Sequence, residues 1–554
     1  MLFEEAVVRY AELVFVGGPV FTSDEVRSRT DAVAVADGRI VAVGNQAVTA
    51  LIGPDTEVVD LAGRLLVPGF QDAHIHPVGG GMELLRCNLA NVSSPSEYEA
   101  VIAAYAAANP DEQWIVGGGW AMSAFPGGTP SAAVLDRLVP DRPVFLPNRD
   151  HHSAWVNSMA LRLAGIDKDT PDPADGRIER DADGVPSGVL HEGAMYLVEG
   201  LIPEPTIDEI VEGLLAGQAY LHSLGITGWQ DAIIGKYSGI PDAGEAYLAA
   251  ANAGLLTARV VGALWWDRTV GAEQIPGLVA RRERLRAGRF SATSVKIMQD
   301  GVPENFTASM LFPYEDGCGH ATDRSGISFV PAEVLNEIVP QLDALGFQVH
   351  FHGIGDRAVR ECLDAVEHAI ARNGRNDHRH HIAHLQVVHP DDVPRFAQLG
   401  VAANLQPLWA THDEQMDELN LPFLGQPRGS WQYPFGDLLR SGAVLAGGSD
   451  WPVTTPDPFD AMHTAVTRLS APGYSDTIAE PFLPEQKIDL ATVLVAYTAG
   501  SAWVNHLEAD TGTIEVGKYA DLALLDSDPF ATGDIAGTRV VATFVEGKRV
   551  FTAG

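Results

Sequence analysis

Two histidines two residues apart, His74 and His76 in GFQDAHIHP at 69 to 77, open the chemical content of this chain. In an extended run alternate side chains leave the backbone on one face, so both imidazoles can reach a single cation. The alternative is a pair of hydrogen-bonded core histidines. Lys296 lies in the apolar run SVKIMQDG, where an unpaired ammonium is costly to bury. It either reaches out to pair with Asp300, or gives up its proton and takes carbon dioxide, becoming a carbamate that can bridge two metals. His350 and His352 in VHFHGIGDRAV repeat the one-face spacing. His352, next to a glycine turn at a strand end, is expected as a ligand and His350, deeper, behind the ligands or in the core. His384 in HIAHLQVV is a further ligand, while the surrounding His378, His380, His381 and His389 read mostly as a solvated turn. Asp450 in LAGGSDWPV follows an apolar strand and two glycines; a helix cap is the plain alternative to a ligand or general base. Four histidines, a lysine and an aspartate at strand ends form a nitrogen and oxygen set that borderline metals such as zinc accept.

Such residues need strands that end together. Between about 205 and 450, LHSLGITGWQDA, FSATSVKIMQDG, LDALGFQVHFHGIG, HRHHIAHLQVV, FAQLGVAANLQP and LLRSGAVLAGGSD each leave a helix, turn, and enter a short apolar run. Repeated βα units with polar residues at the strand ends predict an α/β parallel barrel with its chemistry at the C-terminal mouth. A doubly wound open sheet is disfavoured because no G-x-G-x-x-G follows a strand. The first 67 residues read as short strands, with Asp37-Gly38 as a hairpin turn, and the far end repeats this pattern around Glu546-Gly547. Each end is too short to bury a face alone, so the two are expected to pair into one small β domain. The Pro-, Gly- and Asp-rich stretch at about 80 to 205 reads as an insertion over the mouth.

Composition narrows the partners. The chain has 554 residues, 37 Lys and Arg against 73 Asp and Glu, and a formal net charge of -36. That field repels phosphate backbones and anionic lipid, which disfavours nucleic acid or a membrane surface. Cys87, Cys318 and Cys362 are odd in number and far apart, against a disulfide scaffold or a thiolate zinc site. Glu4 and Glu5 stand where a signal peptide would be basic, and no apolar run reaches the roughly 18 residues a membrane span requires. The expectation is a cytoplasmic protein.

The ordered motifs resemble those of the metal-dependent amidohydrolase superfamily, in particular the amidohydrolase 3 group that includes N-substituted formamide deformylases. They are GFQDAHIHP, RDHHSAWVNSMAL, GVPSGVLHEGA, VKIMQDG, HFHGIGDRAV, IAHLQ, GSDWPV and GTIEVGKYADLALLD, spanning essentially the whole chain. The resemblance implies a distorted (β/α)8 TIM barrel over 68 to 504 and a composite β-sandwich from 1 to 67 plus 505 to 554. It implies one or two zinc ions: His74 and His76 on the more buried ion, His352 and His384 on the more exposed one, N6-carboxylated Lys296 as bridge. Asp450 would hold the first ion and shuttle the proton, and His152, before the W-V-N segment, would face substrate. The family usually has Gly where this chain has His151, so the loop there is expected to differ. Glu192, Arg149, Trp409, Arg428 and Trp451 are further pocket candidates, each with packing or an ion pair as the alternative. The implied reaction is hydrolysis of an amide, formamide or carbamate-type carbon–nitrogen bond of a small molecule by metal-bound hydroxide. The abundance of tryptophan near strand ends (Trp120, Trp155, Trp265, Trp266, Trp409, Trp451) suggests an apolar or aromatic substituent on that substrate. Deamination and ester or lactone hydrolysis could use the same site, and a non-catalytic metal-binding regulator is the remaining alternative. A homodimer is among the assemblies these residues leave open.

Overall fold

The computed structural model describes residues 10–90, 92–237, 241–474 and 480–554. Glu4 and Glu5 lie outside them. Eight strands pair in parallel in the order β8-β7-β6-β5-β4-β3-β2-β1. They are β1 (Phe70–Ile75), β2 (Ile226–Ile234), β3 (Arg259–Trp265), β4 (Phe290–Met298), β5 (Gln348–Gly353), β6 (His381–His384), β7 (Ala402–Leu405) and β8 (Leu445–Gly447). Nearly every residue in them is buried, as expected of parallel strands covered by helices outside and side chains inside. The six helix–turn–strand units read from the sequence supply β2 and β4 to β8, and GFQDAHIHP supplies β1. The sequence reading singles out no strand at β3, which follows the helix Gly244–Asn252 after a short turn through Gly254.

The seam between β1 and β8 is closed just beyond the strand ends. The Asp450 amide donates to the His74 carbonyl at 2.7 Å and the His76 amide to the Trp451 carbonyl at 2.9 Å. Small side chains, Ala73, Ala402 and Ala446, line this join and let the backbones approach. Two residues that carry chemistry are thereby locked against each other by main chain.

The termini form two sheets. One runs Arg39–Val43, Val33–Ala36, Leu13–Val16, Glu57–Asp60; the other runs Lys548–Thr552, Val540–Val545, Leu522–Leu525, Leu66–Pro68, Val20–Phe21, Arg29–Thr30. The second contains both ends of the chain, with Leu524 opposite Leu66 in an antiparallel pair. Phe15, Val35, Leu522 and Phe544 pack between the sheets. Both turn residues of each predicted hairpin have positive φ, Asp37 at 50° with Gly38 at 73° and Glu546 at 50° with Gly547 at 70°, the twist that suits a two-residue connection.

Between β1 and β2 lies a mixed six-stranded sheet. Its strands include Val144–Pro147, Ser153–Val156 and Pro186–Glu192. Trp120 and Trp155 are fully buried in its own core, so the loop-like text encodes an ordered layer, and these two tryptophans are structural. Among the described residues no helix is long and apolar enough to cross a membrane.

Candidate functional site

At the C-terminal ends of the strands, His74, His76, Lys296, His352, His384 and Asp450 line one cavity, with His152 and Trp409 beside them. His74 and His76 come from the end of β1, Lys296 from β4, His352 from β5, and His384 ends β6. Register explains the convergence: Lys296 lies opposite His350, Met298 opposite His352, and Gly353 opposite His384. Asp450 Oδ1 lies 3.0 Å from Nε2 of both His74 and His76, and its Oδ2 lies 3.9 Å from His384 Nδ1.

Burial sets the charge states. It drives the His74 imidazole down to about 3. For Asp450 burial acts upward, but the neighbouring His74 and His76 outweigh it and hold the carboxyl well below its ordinary range. The pair is therefore neutral imidazole and carboxylate, the forms that bind metal. Lys296 is 3% exposed, its Nζ has no hydrogen-bond partner, and burial brings its ammonium down to about 7. Asp300 is not its partner: that carboxylate accepts from the amides of Ser309, Ile354 and Gly355 and faces His352 Nδ1 at 3.2 Å. This carboxylate–histidine pair turns the other nitrogen of His352 toward the cavity.

The donor set fits a divalent cation. His74, His76 and Asp450 offer ligand atoms all within 4.8 Å of one another. Both ring nitrogens of His384 and the Nδ1 of His76 are buried without hydrogen bonds, a costly state for polar atoms unless something binds them. His384 at φ 80° and Asp450 at φ 59° sit in the left-handed region. Such strain, of about 1–3 kcal/mol each for non-glycine residues, gathers where function over-determines the backbone.

The inserted sheet supplies a second group. His152 Nδ1 lies 2.9 Å from Glu192 Oε1, which also accepts from Thr307 Oγ1 at 2.9 Å. Burial opposes protonation of His152, but the Glu192 charge and hydrogen bond raise it to about 9. His151, at the position where the loop was expected to differ, has φ 60° and lies 3.1 Å from Glu83.

Other candidates fall elsewhere. Glu192 stands behind His152 and is not in the cavity wall. Arg428 spends its guanidinium on the carbonyls of Phe312 and Pro313. Trp451 packs against Gly80 and Tyr220, whereas Trp409 lines the cavity and stacks on His384 at 5.4 Å. The histidines near His384 are not a solvated turn: His380 and His381 are buried, and His378 and His380 both bond Asp343, at 2.9 and 3.0 Å. Asp343, His378 and His380 also lie close enough to share a cation. However, His380 Nδ1 accepts the Val349 amide, so its Nε2 carries the proton and has no lone pair to offer. Ile233, Tyr237, Met298, Val302 and Ile354 complete the apolar wall and were not singled out from the sequence. Ile233 and Met298 stand at the ends of β2 and β4, a position that could have flagged them.

A parallel barrel with histidines, a buried lysine and an aspartate at its mouth defines a metal-dependent hydrolase architecture. The chain belongs to the amidohydrolase family, whose model matches residues 57–551. It is 32% identical to Protein LONG AFTER FAR-RED 3 of Arabidopsis thaliana, over 98% of this chain and 92% of that protein. It is 28% identical to N-substituted formamide deformylase of Arthrobacter pascens, over 97% of each. An uncharacterized metal-dependent hydrolase from Pyrococcus furiosus superposes with a TM-score of 0.69 at 26% identity, covering 93% of this chain and 99% of that one.

Proposed function

We propose that the protein hydrolyses a carbon–nitrogen bond of amide, formamide or carbamate type in a small neutral molecule bearing an apolar or aromatic substituent. The observation that carries this reading is the unpartnered set of Lys296 Nζ and the His384 nitrogens, buried beside the Asp450 carboxylate in one cavity. His74, His76, His352, His384 and Asp450 would hold zinc, with Lys296 as its carbamate joining the two histidine pairs. Zinc held there would supply Lewis acidity and a water acidic enough to ionise near neutral pH.

The chain's own groups do the rest. Asp450 takes a proton on Oδ2, the oxygen not engaged by His74 and His76, and returns it to the departing nitrogen. His152, kept cationic by Glu192, donates from Nε2 to the oxygen on which negative charge develops. The apolar wall of Ile233, Tyr237, Trp265 and Met298 excludes water and receives the substituent. Among the described residues no arginine lines the cavity, which favours an uncharged substituent over a carboxylate. The formamide deformylase relative supports the bond class.

The test is a panel of N-formyl, N-acyl and carbamate compounds, with ester and aminopurine comparators, followed by mass spectrometry on protein of known metal content. Release of amine from an aryl or alkyl amide is the expected result. Turnover confined to the esters or aminopurines would replace the proposed reaction, and bound metal with no turnover would favour a binder.

A further inference from the structure

Inside the barrel a row of polar side chains that the hydrolytic reading does not use, Gln348, Gln230 and His350, runs up to His74. Gln348 and His350 face inward from β5, Gln230 from β2 and His74 from β1. Their hydrogen bonds can be assigned from one end. Gln348 Nε2 meets two backbone carbonyls, Arg379 O at 2.9 Å and Val504 O at 2.7 Å. A carbonyl only accepts, so that atom is the amide nitrogen and Oε1 lies on the other side, where it accepts from Ser294 Oγ at 2.6 Å. The Gln230 atom 2.9 Å from this Oε1 must then be its nitrogen, which also donates to Asn505 Oδ1 at 2.9 Å. That leaves Gln230 Oε1 facing His350 Nδ1 at 2.6 Å and His381 Nε2 at 3.0 Å, and both ring nitrogens must donate. His350 is fully buried, and its ring nitrogens bond only the Gln230 amide and the His74 ring. An unpaired imidazolium there is disfavoured, so its proton is on Nδ1 and its Nε2 accepts. The nitrogen 2.6 Å away, His74 Nδ1, therefore donates.

We infer that Gln348, Gln230 and His350 form a tautomer-setting relay that places the His74 proton on Nδ1 and leaves the Nε2 lone pair, 3.0 Å from Asp450 Oδ1, for a cation that the two would share. The proposal rests on the metal-site reading above, but the tautomer itself does not. His350 and the two glutamines are positioning residues. Metal-ligating histidines commonly donate their second N–H to a carboxylate or a carbonyl; here the acceptor is a neutral imidazole, so its direction must be imposed from further away. The two carbonyls at Gln348 impose it.

The experiment uses the full chain labelled with 15N-histidine, metal-free and after zinc addition, with long-range 15N–1H correlation spectra to read the ring tautomers and chelator competition to read zinc affinity. The wild type is expected to show His74 protonated on Nδ1 before any metal is added. His350→Leu should lose that single tautomer and bind zinc about 10- to 100-fold more weakly, the usual size of such outer contacts. His350→Gln, which can both accept from His74 and donate to Gln230, should restore both. If His350→Leu does not fold, Gln348→Met tests the relay from its far end, with mixed His74 tautomers and weakened zinc binding expected. A wild type with His74 protonated on Nε2, or a folded His350→Leu or Gln348→Met that retains both tautomer and zinc affinity, overturns the relay. A wild type that binds no zinc overturns the proposed function instead.

Discussion

Two buried histidine–carboxylate groups, His74 and His76 with Asp450 in the cavity and His152 with Glu192 behind it, are tuned in opposite senses by their surroundings. Burial with an unpaired lysine nearby keeps the first histidines neutral, while an adjacent carboxylate keeps His152 charged. Replacing Asp450 by Asn keeps the shape and removes the proton acceptor, so turnover should fall about 10²- to 10⁴-fold with metal content largely retained. Metal analysis beside steady-state kinetics checks both. Glu192→Gln removes the charge that raises His152. A cationic His152 is present below its pKa, so wild-type activity should fall as pH rises through about 9. In the variant that limb should move toward the ordinary histidine value of about 6.5, which a kcat/KM profile against pH reads directly.

At the level of elements, the site depends on the seam where β8 meets β1. Gly448 sits there, and a Cβ on it would come within 2.8 Å of Asn404 Oδ1 and His74 Cβ and 2.7 Å of Gln406 Nε2. Gly448→Ala should therefore push the first metal-ligand strand, lowering stability by about 1–3 kcal/mol as overpacking does. Zinc affinity should fall with it, because His74 is among the side chains the new Cβ meets; thermal unfolding and chelator competition separate the two effects.

For the molecule as a whole, barrel and terminal sheets are joined by a buried ion network at the start of β3. Arg259 Nε lies 2.8 Å from Asp521 Oδ2, and its Nη2 lies 2.9 Å from Glu546 Oε1, with its guanidinium over the Tyr519 ring at 3.9 Å. Asp521→Ala would leave a buried guanidinium short of a partner and should cost about 3–5 kcal/mol in urea unfolding. Activity per folded molecule should be unchanged, since none of these groups lines the cavity.

Residue types and spacings alone were enough to announce the six candidate ligands and the parallel barrel, because a strand's two-residue repeat and a glycine turn after it are local properties. The hairpins at Asp37-Gly38 and Glu546-Gly547 were legible for the same reason. Three things were decided only in the folded chain. The inserted stretch, rich in Pro, Gly and Asp, is an ordered sheet whose own core buries Trp120 and Trp155. Asp300 turned from Lys296 to His352 because three loop amides hold it there. His380 and His381 left solvent because Asp343, Val349, Gln230 and Asn404, distant in the text, satisfy their nitrogens. Periodicity tells which face a side chain leaves by, but which polar partner meets it there depends on neighbouring strands, and that is a property of tertiary register.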